Sequence, residues 1–544
     1  MNRSLLFFLT GWGLLAVIQA TFTDLAHDEA YYWMYSLHPD WGYFDHPPVT
    51  GLFIKAGYFL IASEAGVRLM TIISQIIGRY LIARYLLPEG TTLKNYYWLV
   101  VLIPLIHVFS FITFPDPPLL LATVIFLVIY KKFSESPSWS LVPWLAMTMA
   151  FMMYSKYHAA LVILLTMASS PKLFRDIRFM SACVLGAALF SPHLWWQYTH
   201  DFPSLKFHLV DRNTSFEIKD VAMYLVNQLI NFNPVLFLLV LIRLIQAKTS
   251  ANDFERALRL NFFGFLGFFL LMTWRGHIEP QWTYVLVVPL LYFGIKLFSE
   301  RDFNLVIKSA FVVLPLIAIG RVLLIFNWLP FPTEFHGYPE LAKQIQAAAA
   351  GKPVVIMNSY QLTAKYHFYS GEKPFAMITD GRRNQYSLMR DEEEILGKEA
   401  MLVSRREAVG FSKINENSFY PTWVKPVQRF SYYKGVEVEA PKKINLVQKE
   451  QVITLEIKNP YKTDLIFDET RELVLIILNN RKAGTMIPIQ TKSTYFKGKS
   501  VTTIEATLHL SEIKTPAQAI IGIRSRDQFF SFNSEPISLI LGDD

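Results

Sequence analysis

Two short acidic stretches follow the first apolar segment of the chain, and their carboxyl groups are candidates for acid–base chemistry. Asp28 and Glu29 are adjacent, and further along Asp45 precedes His46 and two prolines. In general, a carboxyl group at a bilayer boundary has one wet side and one apolar side, which can raise its pKa and suit it to proton transfer. We therefore consider the Asp28–Glu29 pair a candidate for acid–base chemistry. Capping of a helix that begins near Ala30 is the alternative interpretation.

Composition places the chain in a membrane before any motif is considered. Of its 544 residues, 52% are hydrophobic, 15% are aromatic and only 18% are charged, and the mean hydropathy is +0.28. These values are typical of a polytopic membrane protein. The formal net charge of +8 does not indicate a nucleic-acid partner, because Lys and Arg mostly lie in short loops between apolar runs. Since Cys183 is the single cysteine, an intramolecular disulfide and a CxxC metal site are excluded.

The apolar runs predict about eleven membrane spans, since each approaches the length needed to cross about 30 Å of hydrocarbon. We expect the first run to be an uncleaved helix rather than a signal peptide, because no Ala-x-Ala site follows it. The runs are 5–20, 66–87, 96–113, 117–130, 139–154, 159–170, 179–192, 221–245, 259–273, 281–298 and 305–328.

The charges of the loops predict the orientation in the membrane. With a cytoplasmic N-terminus, the loops on the cytoplasmic side hold most of the Lys and Arg residues, in agreement with the positive-inside rule. An odd number of spans then puts everything after residue 330 on the extracytoplasmic side. We therefore expect a multi-pass protein of the bacterial inner membrane whose active site and C-terminal domains are periplasmic.

The chain is expected to have three parts. Residues 1–330 form the predicted transmembrane domain, with a large first outer loop at 21–64. Residues 331–434 predict a small α/β subdomain, because a helical pattern precedes a short apolar run typical of a buried strand. Residues 435–544 alternate between apolar and polar residues in short stretches and predict a β-sandwich-like domain.

The first outer loop is crowded with aromatic residues. Such residues suit short helices at the membrane interface, or stacking against a sugar or a prenyl chain. An aromatic belt with no further role is the alternative. The residues are Tyr31, Tyr32, Trp33, Tyr35, Trp41, Tyr43 and Phe44.

Four stretches, in this order, resemble the membrane glycosyltransferases of the GT-C fold. They are the Asp28–Glu29 pair, Tyr43–Pro48, Thr113–Pro118 and Ser155–His158. The resemblance is to glycosyltransferase family 39 and its aminoarabinose-transferase relatives, which are related to the protein O-mannosyltransferases. It covers roughly residues 5–330, and two later stretches, Tyr360–Ala364 and Gly381–Tyr386, resemble the tail of the same group.

This resemblance implies transfer of a sugar from a polyprenyl-phosphate donor to a lipid, glycan or protein acceptor, with inversion at the anomeric carbon. Asp28 matches the general base of the family, and Glu29 would orient it. Asp116 matches a second acidic turn, which would bind the acceptor or hold the first loop; a solvated Asp in a proline-rich turn is the alternative. The sequence has no Gly-rich phosphate loop after a strand and no Walker lysine, so a nucleotide site is not expected.

The departing lipid phosphate of such a reaction requires cations in a partly dry site. Lys156 with the adjacent His158, and Arg275, are the first candidates. His46 stands where relatives carry a lysine, and it can bind phosphate only when protonated. Three alternatives remain open: a lysine snorkelling to the headgroups, interfacial capping by Arg275, and a hydrogen-bonded loop histidine.

Further residues at the outer boundary are candidates for the acceptor pocket: Asp45, Tyr31, Tyr32, Trp195, His277 and Glu279. Four residues have side chains suited to a divalent metal ion, namely Asp45, His46, His277 and Glu279. Spacing alone does not establish such a site, and the motifs require no cofactor.

Two other classes of protein compete with this interpretation. A transporter or lipid flippase predicts charges deep within spans and often an inverted repeat, whereas the halves of this chain do not resemble each other. A binding scaffold built on the outer β domain does not explain carboxylates at the membrane boundary.

Overall fold

The structure is a computed structural model that describes residues 2–212, 216–247, 252–379, 383–415, 420–446, 449–468, 470–479, 482–511, 513, 515–525 and 529–540. The chain divides into two compact units, Met1–His336 and Gly337–Asp544. The first unit is helical and the second is rich in strands, which confirms the predicted fold class of a helical membrane domain followed by a strand-rich tail.

The helices of the first unit enclose one large apolar core, to which residues such as Leu99, Phe126 and Leu290 contribute. The α-helices are α1 (Arg3–Phe22), α2 (His27–Leu37), α3 (Val49–Leu60), α4 (Glu64–Leu81), α5 (Leu93–Val101), α6 (Pro104–Val108), α7 (Asp116–Glu135), α8 (Val142–Ser155), α9 (Ala159–Ala168), α10 (Ile177–Thr199), α11 (Pro203–Lys206), α12 (Ile218–Phe232), α13 (Pro234–Gln246), α14 (Asp253–Met272), α15 (Val287–Leu297), α16 (Glu300–Lys308) and α17 (Ala310–Ile325).

The number of long spans differs from the prediction. Within the described residues, six helical segments are long and apolar enough to cross a bilayer, or seven if α12 and α13, bent by 102°, form one broken span. The predicted count of about eleven stays a prediction, because this criterion counts only the longer apolar helices. The six segments are Arg3–Phe22, Glu64–Leu86, Asp116–Glu135, Ile177–Thr199, Asp253–Arg275 and Glu300–Ile325.

The difference arises because several apolar runs are helical but short or interrupted. The run 96–113 contains α5 and α6, which are separated just before Pro104, where proline disfavours a helical conformation in the preceding residue. The run 281–298 begins with a 3-10 segment, Pro280–Leu286, before α15. Hydropathy counts such runs as spans because it does not detect where a helix breaks.

Within the described residues, the second unit contains three sheets, of five, nine and two strands. Helices α18 (Tyr338–Ala349) and α19 (Tyr360–Ser370) precede and connect strands of a five-stranded sheet ordered β2-β1-β3-β5-β4. Its strands are β1 (Val354–Met357), β2 (Phe375–Met377), β3 (Ala400–Ser404), β4 (Ser412–Lys413) and β5 (Trp423–Val427). The β1 strand pairs in parallel with β2 and β3, while β5 is antiparallel.

The remaining strands surround a separate apolar core that includes Leu455, Leu475 and Ile521. Most pair in a sheet ordered β6-β8-β13-β11-β10-β14-β16-β7, with β15 beside β14. Its pairs are antiparallel except for β16 with β7, which are parallel. Strands β9 and β12 pair separately. The strands of these two sheets are β6 (Glu437–Glu439), β7 (Lys443–Asn445), β8 (Glu450–Asn459), β9 (Leu465–Ile466), β10 (Arg471–Asn479), β11 (Lys482–Thr491), β12 (Tyr495–Phe496), β13 (Ser500–His509), β14 (Ala517–Ser525), β15 (Phe530–Phe532) and β16 (Ile537–Ile540).

The predicted outer loop folds into α2 and α3, and a buried ion pair fastens α2 to the membrane helices. Arg68 of α4 donates from Nε to Glu29 Oε1 at 2.9 Å and from Nη2 to Glu29 Oε2 at 2.6 Å. Neither side chain is exposed. The Glu29 carboxylate also accepts the backbone N–H groups of Ala26 and Thr113, each at 2.9 Å. Glu29 thereby caps α2 and ties it to the segment that precedes α7.

Arg68 uses its remaining donors to close the end of α1. Its Nη1 donates to the carbonyl oxygens of Ala20 at 3.0 Å and Thr23 at 2.6 Å, and Nη2 donates to that of Asp24 at 2.9 Å. The last carbonyls of a helix lack partners within the helix and favour a cation. One guanidinium therefore joins the end of α1, the start of α2 and the body of α4.

We expect Arg68→Ala to destabilise the protein by about 3–5 kcal/mol, because it leaves the Glu29 carboxylate buried without its counter-charge. Arg68→Lys should recover only part of this loss, since an ammonium cannot form the two-pronged contact. Thermal unfolding of the purified protein in detergent measures the effect. Arg84→Ala, at an exposed position beyond α4, is the matched control and should change stability by about 0.5 kcal/mol or less. Equal melting of the two alanine variants would contradict the structural role of Arg68.

Candidate active site

The neighbours Asp28 and Glu29 lie on different faces of α2. Successive residues of an α-helix are about 100° apart around its axis, so Asp28 shares its face with Tyr32 and Tyr35 rather than with Glu29. Asp28 is half-buried, whereas Glu29 is fully buried. The structure thus separates the two carboxylates that the sequence presents as a pair.

The face of α2 that carries Asp28 meets the second acidic stretch and the segment before α7. The ring of Tyr32 lies 5.5 Å from that of His46 and 6.0 Å from that of Phe114, both edge-on. Tyr31 packs edge-on against Tyr35 at 4.9 Å. Tyr31 and Tyr32 are both buried, and Tyr32 joins this part of α2 to the second acidic stretch.

Asp45 is held by tyrosines of the same loop. The Tyr35 hydroxyl donates to Asp45 Oδ1 at 2.5 Å, and the Tyr43 ring stacks on Tyr35 at 4.0 Å. Burial, and then the charge of Asp45, hold the pKa of Tyr35 well above its ordinary value, so Tyr35 remains the donor. Asp45 is buried, and this contact fixes its position.

The second acidic turn forms a buried ion pair with the candidate lysine. Lys156 Nζ lies 2.7 Å from Asp116 Oδ1, and only 6% and 3% of the two side chains are exposed. Asp116 begins α7 and Lys156 follows α8, so each charge stands at the helix end that its sign favours. In the described part of the chain, Asp116 is the hydrogen-bond partner of the Lys156 ammonium, which leaves further N–H donors for an anionic ligand.

A second ion pair lies near the first, and its cation was missed in the sequence. Arg212 Nη2 lies 2.7 Å from Glu279 Oε1, and the guanidinium carbon lies 4.4 Å from the centre of the Trp282 ring. The charges of Arg212 and Glu279 both act on Lys156. Sequence reasoning counted Arg212 only as a loop charge; its spacing of four residues from His208 was the available signal.

Histidines complete the cluster. The ring of His158 meets the edges of Phe269 at 5.0 Å and Trp282 at 4.9 Å, and its electrostatic neighbours include Lys156 and His46. His208 contacts the Asp45 carbonyl through Nε2 at 3.2 Å. The structure therefore brings Asp45, His46, Asp116, Lys156, His158 and Glu279 together, with His208 and Arg212 as additions.

Three predicted site residues lie elsewhere. Arg275 is exposed, and its Nη2 donates to the Leu209 carbonyl at 2.7 Å. The arginine near Lys156 is Arg212. His277 is 48% exposed, and its nearest carboxylate oxygens, on Asp220 and Glu279, are 3.9 and 4.0 Å away.

Trp195 is not a wall of the cluster, because 67% of it is exposed. Its neighbour Trp196, about 100° further around α10, is buried and donates from Nε1 to Asp40 Oδ2 at 2.8 Å. His193 of the same helix is fully buried and contacts the Tyr157 hydroxyl at 2.9 Å.

The four candidate metal ligands do not form a common site. Within the described residues, groups of three or more His, Cys, Asp or Glu side chains placed to hold a metal ion are not found. The Tyr35 hydroxyl donates a hydrogen bond to the Asp45 carboxylate, and the Arg212 guanidinium donates one to the Glu279 carboxylate. Because each of these carboxylates already accepts a hydrogen bond from its neighbour, it is a poor metal ligand in this arrangement.

The two tail stretches belong to the second unit. Tyr360–Ala364 begins α19, where Ser359 caps the helix by accepting the N–H of Leu362. Gly381 and Arg382 of the stretch Gly381–Tyr386 lie outside the described residues.

The buried imidazole of His208 gives the site a pH dependence. Burial lowers the pKa of His208 to about 4, so between this value and about 6.5 the unfolded chain binds a proton that the folded chain does not. Stability should therefore fall as the pH drops from 7.5 to 5, by about 1–2 kcal/mol for this group after allowance for its partial exposure. Thermal unfolding of wild type and His208→Gln at both pH values tests this. The variant should lose less stability on acidification, whereas His277→Gln, at a half-exposed position, should behave as wild type. Identical pH dependence in all three proteins would contradict the assignment.

Part of this chain is similar to known proteins. Residues 45–196 match the family model described as dolichyl-phosphate-mannose-protein mannosyltransferase. The lipid A galacturonosyltransferase RgtD of Rhizobium johnstonii is 29% identical over 217 residues, which are 37% of this chain and 44% of that protein. The chain thus matches less than half the length of this relative.

Solved structures supply the fold. ArnT from Cupriavidus metallidurans in the apo state superposes with a TM-score of 0.59 at 14% identity, covering 78% of this chain and 98% of ArnT. The same protein bound to undecaprenyl phosphate gives a TM-score of 0.58 at 13% identity, with the same coverage. The resemblance found in the motifs is thereby confirmed: the chain has the GT-C fold of ArnT and carries, over residues 45–196, the sequence pattern of the dolichyl-phosphate-mannose-protein mannosyltransferases.

Proposed function

We propose that this protein is an inverting glycosyltransferase that takes a sugar from a polyprenyl-phosphate donor and transfers it to an acceptor on the extracytoplasmic side of the membrane. One observation carries the proposal: the Lys156 ammonium is buried against a single carboxylate, Asp116, at 2.7 Å. Lys156 lies within the range that matches the family. The fold of ArnT and the similarity to RgtD support the glycosyltransferase rather than the transporter alternative.

The cationic groups suit the leaving phosphate. As the bond between the anomeric carbon and the phosphate oxygen breaks, the electron pair stays on the phosphate, and negative charge grows there. Lys156 and Arg212 are the cations of the cluster, and each is held in place by one carboxylate. A structure of ArnT contains undecaprenyl phosphate, so we take this lipid phosphate as the product that the cations would bind here.

Asp28 is the best placed candidate for the base. Its neighbour Glu29 has both carboxylate oxygens engaged by Arg68 and backbone N–H groups. Asp28 instead lies half-buried on the face of α2 that meets His46 and Phe114. In the proposed reaction it accepts the proton of an acceptor hydroxyl while that oxygen attacks the anomeric carbon from the side opposite the phosphate. Glu29 then acts only by holding the helix that carries Asp28.

For the acceptor we propose lipid A, because the relative RgtD is a lipid A galacturonosyltransferase. The acceptor would be reached from the outer leaflet of a bacterial inner membrane, in the orientation that the loop charges favour. Tyr31 and Tyr32 follow Asp28 on α2, and Asp45 contacts Tyr35 of the same helix, so these residues would line the path of the acceptor. We include no metal ion in the mechanism.

Asp28→Asn should lower the rate of sugar transfer by about 10²–10⁴-fold, because the amide cannot accept the proton. Binding of undecaprenyl phosphate and the melting temperature should stay near the wild-type values. The measurement is transfer of labelled galacturonic acid from a polyprenyl-phosphate donor to lipid A by purified protein, with a serine-containing peptide as a second acceptor. Transfer by Asp28→Asn at the wild-type rate would remove Asp28 as the base, and labelling of the peptide alone would overturn lipid A as the acceptor.

Lys156→Gln should weaken the binding of undecaprenyl phosphate at least tenfold, because it removes a charge-assisted hydrogen bond in a dry site. The double variant Lys156→Gln with Asp116→Asn avoids leaving Asp116 buried without a counter-charge and should show the same weakening. Lys219→Gln, at an exposed site, is the control. Wild-type affinity in the double variant would show that Lys156 does not bind the donor phosphate.

A further inference from the structure

One face of α10 carries a buried chain of hydrogen bonds that reaches three segments of the candidate active site. His193 and Gln197 are four residues apart on this helix and therefore lie on the same face. Both side chains are buried. The segments that they contact are the first outer loop, the break between α8 and α9, and α11.

His193 connects the first outer loop to the break between α8 and α9. Its Nδ1 lies 2.7 Å from the Trp41 carbonyl oxygen, and its Nε2 lies 2.9 Å from the Tyr157 hydroxyl oxygen. The loop backbone also approaches the ring closely, since a Cβ atom added at Gly42 would lie 2.8 Å from His193 Nδ1. The imidazole thus uses both nitrogens to join two separate segments.

Gln197 extends the chain to α11. Its Nε2 donates to the Tyr157 hydroxyl at 3.2 Å and to Ser204 Oγ at 2.7 Å, and its Oε1 accepts the backbone N–H of Ser204 at 3.3 Å. Ser204 Oγ in turn donates to the Tyr43 carbonyl oxygen at 3.1 Å. The chain therefore returns to the first outer loop two residues after Trp41.

The proton positions along the chain follow from its ends. A carbonyl oxygen only accepts, so His193 Nδ1 carries a proton; a backbone N–H only donates, so the N–H of Ser204 fixes the orientation of the Gln197 amide. The Tyr157 hydroxyl therefore accepts from Gln197 and donates to His193 Nε2. A proton on Nε2 would leave the Tyr157 hydroxyl facing two donors, so the neutral Nδ1–H form of His193 is the one that satisfies every group.

The chain holds the part of the backbone that carries the candidate phosphate ligands. Three residues separate the end of α8 from the start of α9. Tyr157 is the middle one, between Lys156 and His158. Its hydroxyl contact with His193 therefore sets where this break lies relative to α10, and with it the position of both neighbours.

We propose that His193, as its neutral Nδ1–H tautomer, is a positioning residue for the phosphate end of the active site. By orienting Tyr157 it places the adjacent Lys156 ammonium at the departing phosphate, and it acts through Tyr157 rather than on the substrate. This role rests on the proposed glycosyltransferase function, since it takes Lys156 as a ligand of the lipid phosphate.

The first test measures binding of undecaprenyl phosphate to the full-length protein in detergent. Tyr157→Phe and His193→Asn both remove the contact between the two side chains, and each should weaken the affinity about three- to tenfold. The double variant should bind no more weakly than either single variant, because both changes break the same hydrogen bond.

Two further variants separate positioning from a general loss of structure. His193→Gln keeps an acceptor near the place of Nε2 and should retain an affinity within about twofold of wild type, whereas His193→Asn keeps only a donor for the Trp41 carbonyl. Tyr154→Phe is the matched control, because it removes a hydroxyl that donates to the Leu189 carbonyl of α10, also at 2.9 Å. It should bind undecaprenyl phosphate as wild type does.

Backbone hydrogen exchange tests the anchoring without a ligand. In Tyr157→Phe and His193→Asn, a peptide covering 156–160 should exchange faster than in wild type, because the break between α8 and α9 has lost its contact with α10. In Tyr154→Phe the same peptide should exchange at the wild-type rate.

Wild-type affinity in Tyr157→Phe and His193→Asn, or unchanged exchange at 156–160 in both, would overturn the positioning role and leave the proposed function in place. Equal weakening by His193→Asn and His193→Gln would overturn it as well, since the role requires an acceptor for Tyr157. A wild-type protein that neither binds undecaprenyl phosphate nor transfers sugar would instead overturn the proposed function, and the positioning role with it.

Discussion

The outer part of the membrane unit depends on one buried ion pair, Glu29 with Arg68. Helix α2 carries the candidate base, so its start has to be fixed. The bidentate contact does so, since it leaves no carboxylate oxygen of Glu29 without a donor and joins α2 to the ends of α1 and α4. Such a pair is costly to bury but costlier to break. It is therefore better suited to fixing a position than to adding net stability.

The same principle explains the arrangement of charge in the candidate active site. Lys156 and Arg212 are each held by one carboxylate, Asp116 and Glu279. In an empty site these pairs keep the cations in place and limit their repulsion. A phosphate that enters between them meets preorganised donors and does not need to reorient water, which is the electrostatic condition for stabilising a departing anion. The Trp282 ring contacts both Arg212 and His158 and so fixes their positions.

Apolar periodicity predicted where helices occur but not where they break. The runs at 5–20, 117–130 and 305–328 correspond to long helices, whereas 96–113 breaks before Pro104. Motif order predicted Asp116 and Lys156, which lie 40 residues apart and meet at 2.7 Å. It could not separate the roles of Asp28 and Glu29, because these depend on the face of α2 on which each side chain lies. They also depend on Arg68, which nothing in the sequence marks as the partner of Glu29.

Arg212 and Arg79 show a second limit of sequence reasoning. Both are single arginines near apolar runs, and composition does not distinguish a paired cation at the outer boundary from an unpaired one in the interior. The structure does, because Arg212 has Glu279 within 2.7 Å, whereas the hydrogen-bond acceptors of Arg79 in the described residues are backbone carbonyls. Charges at the outer site are balanced side chain by side chain, so a substrate can exchange with one partner.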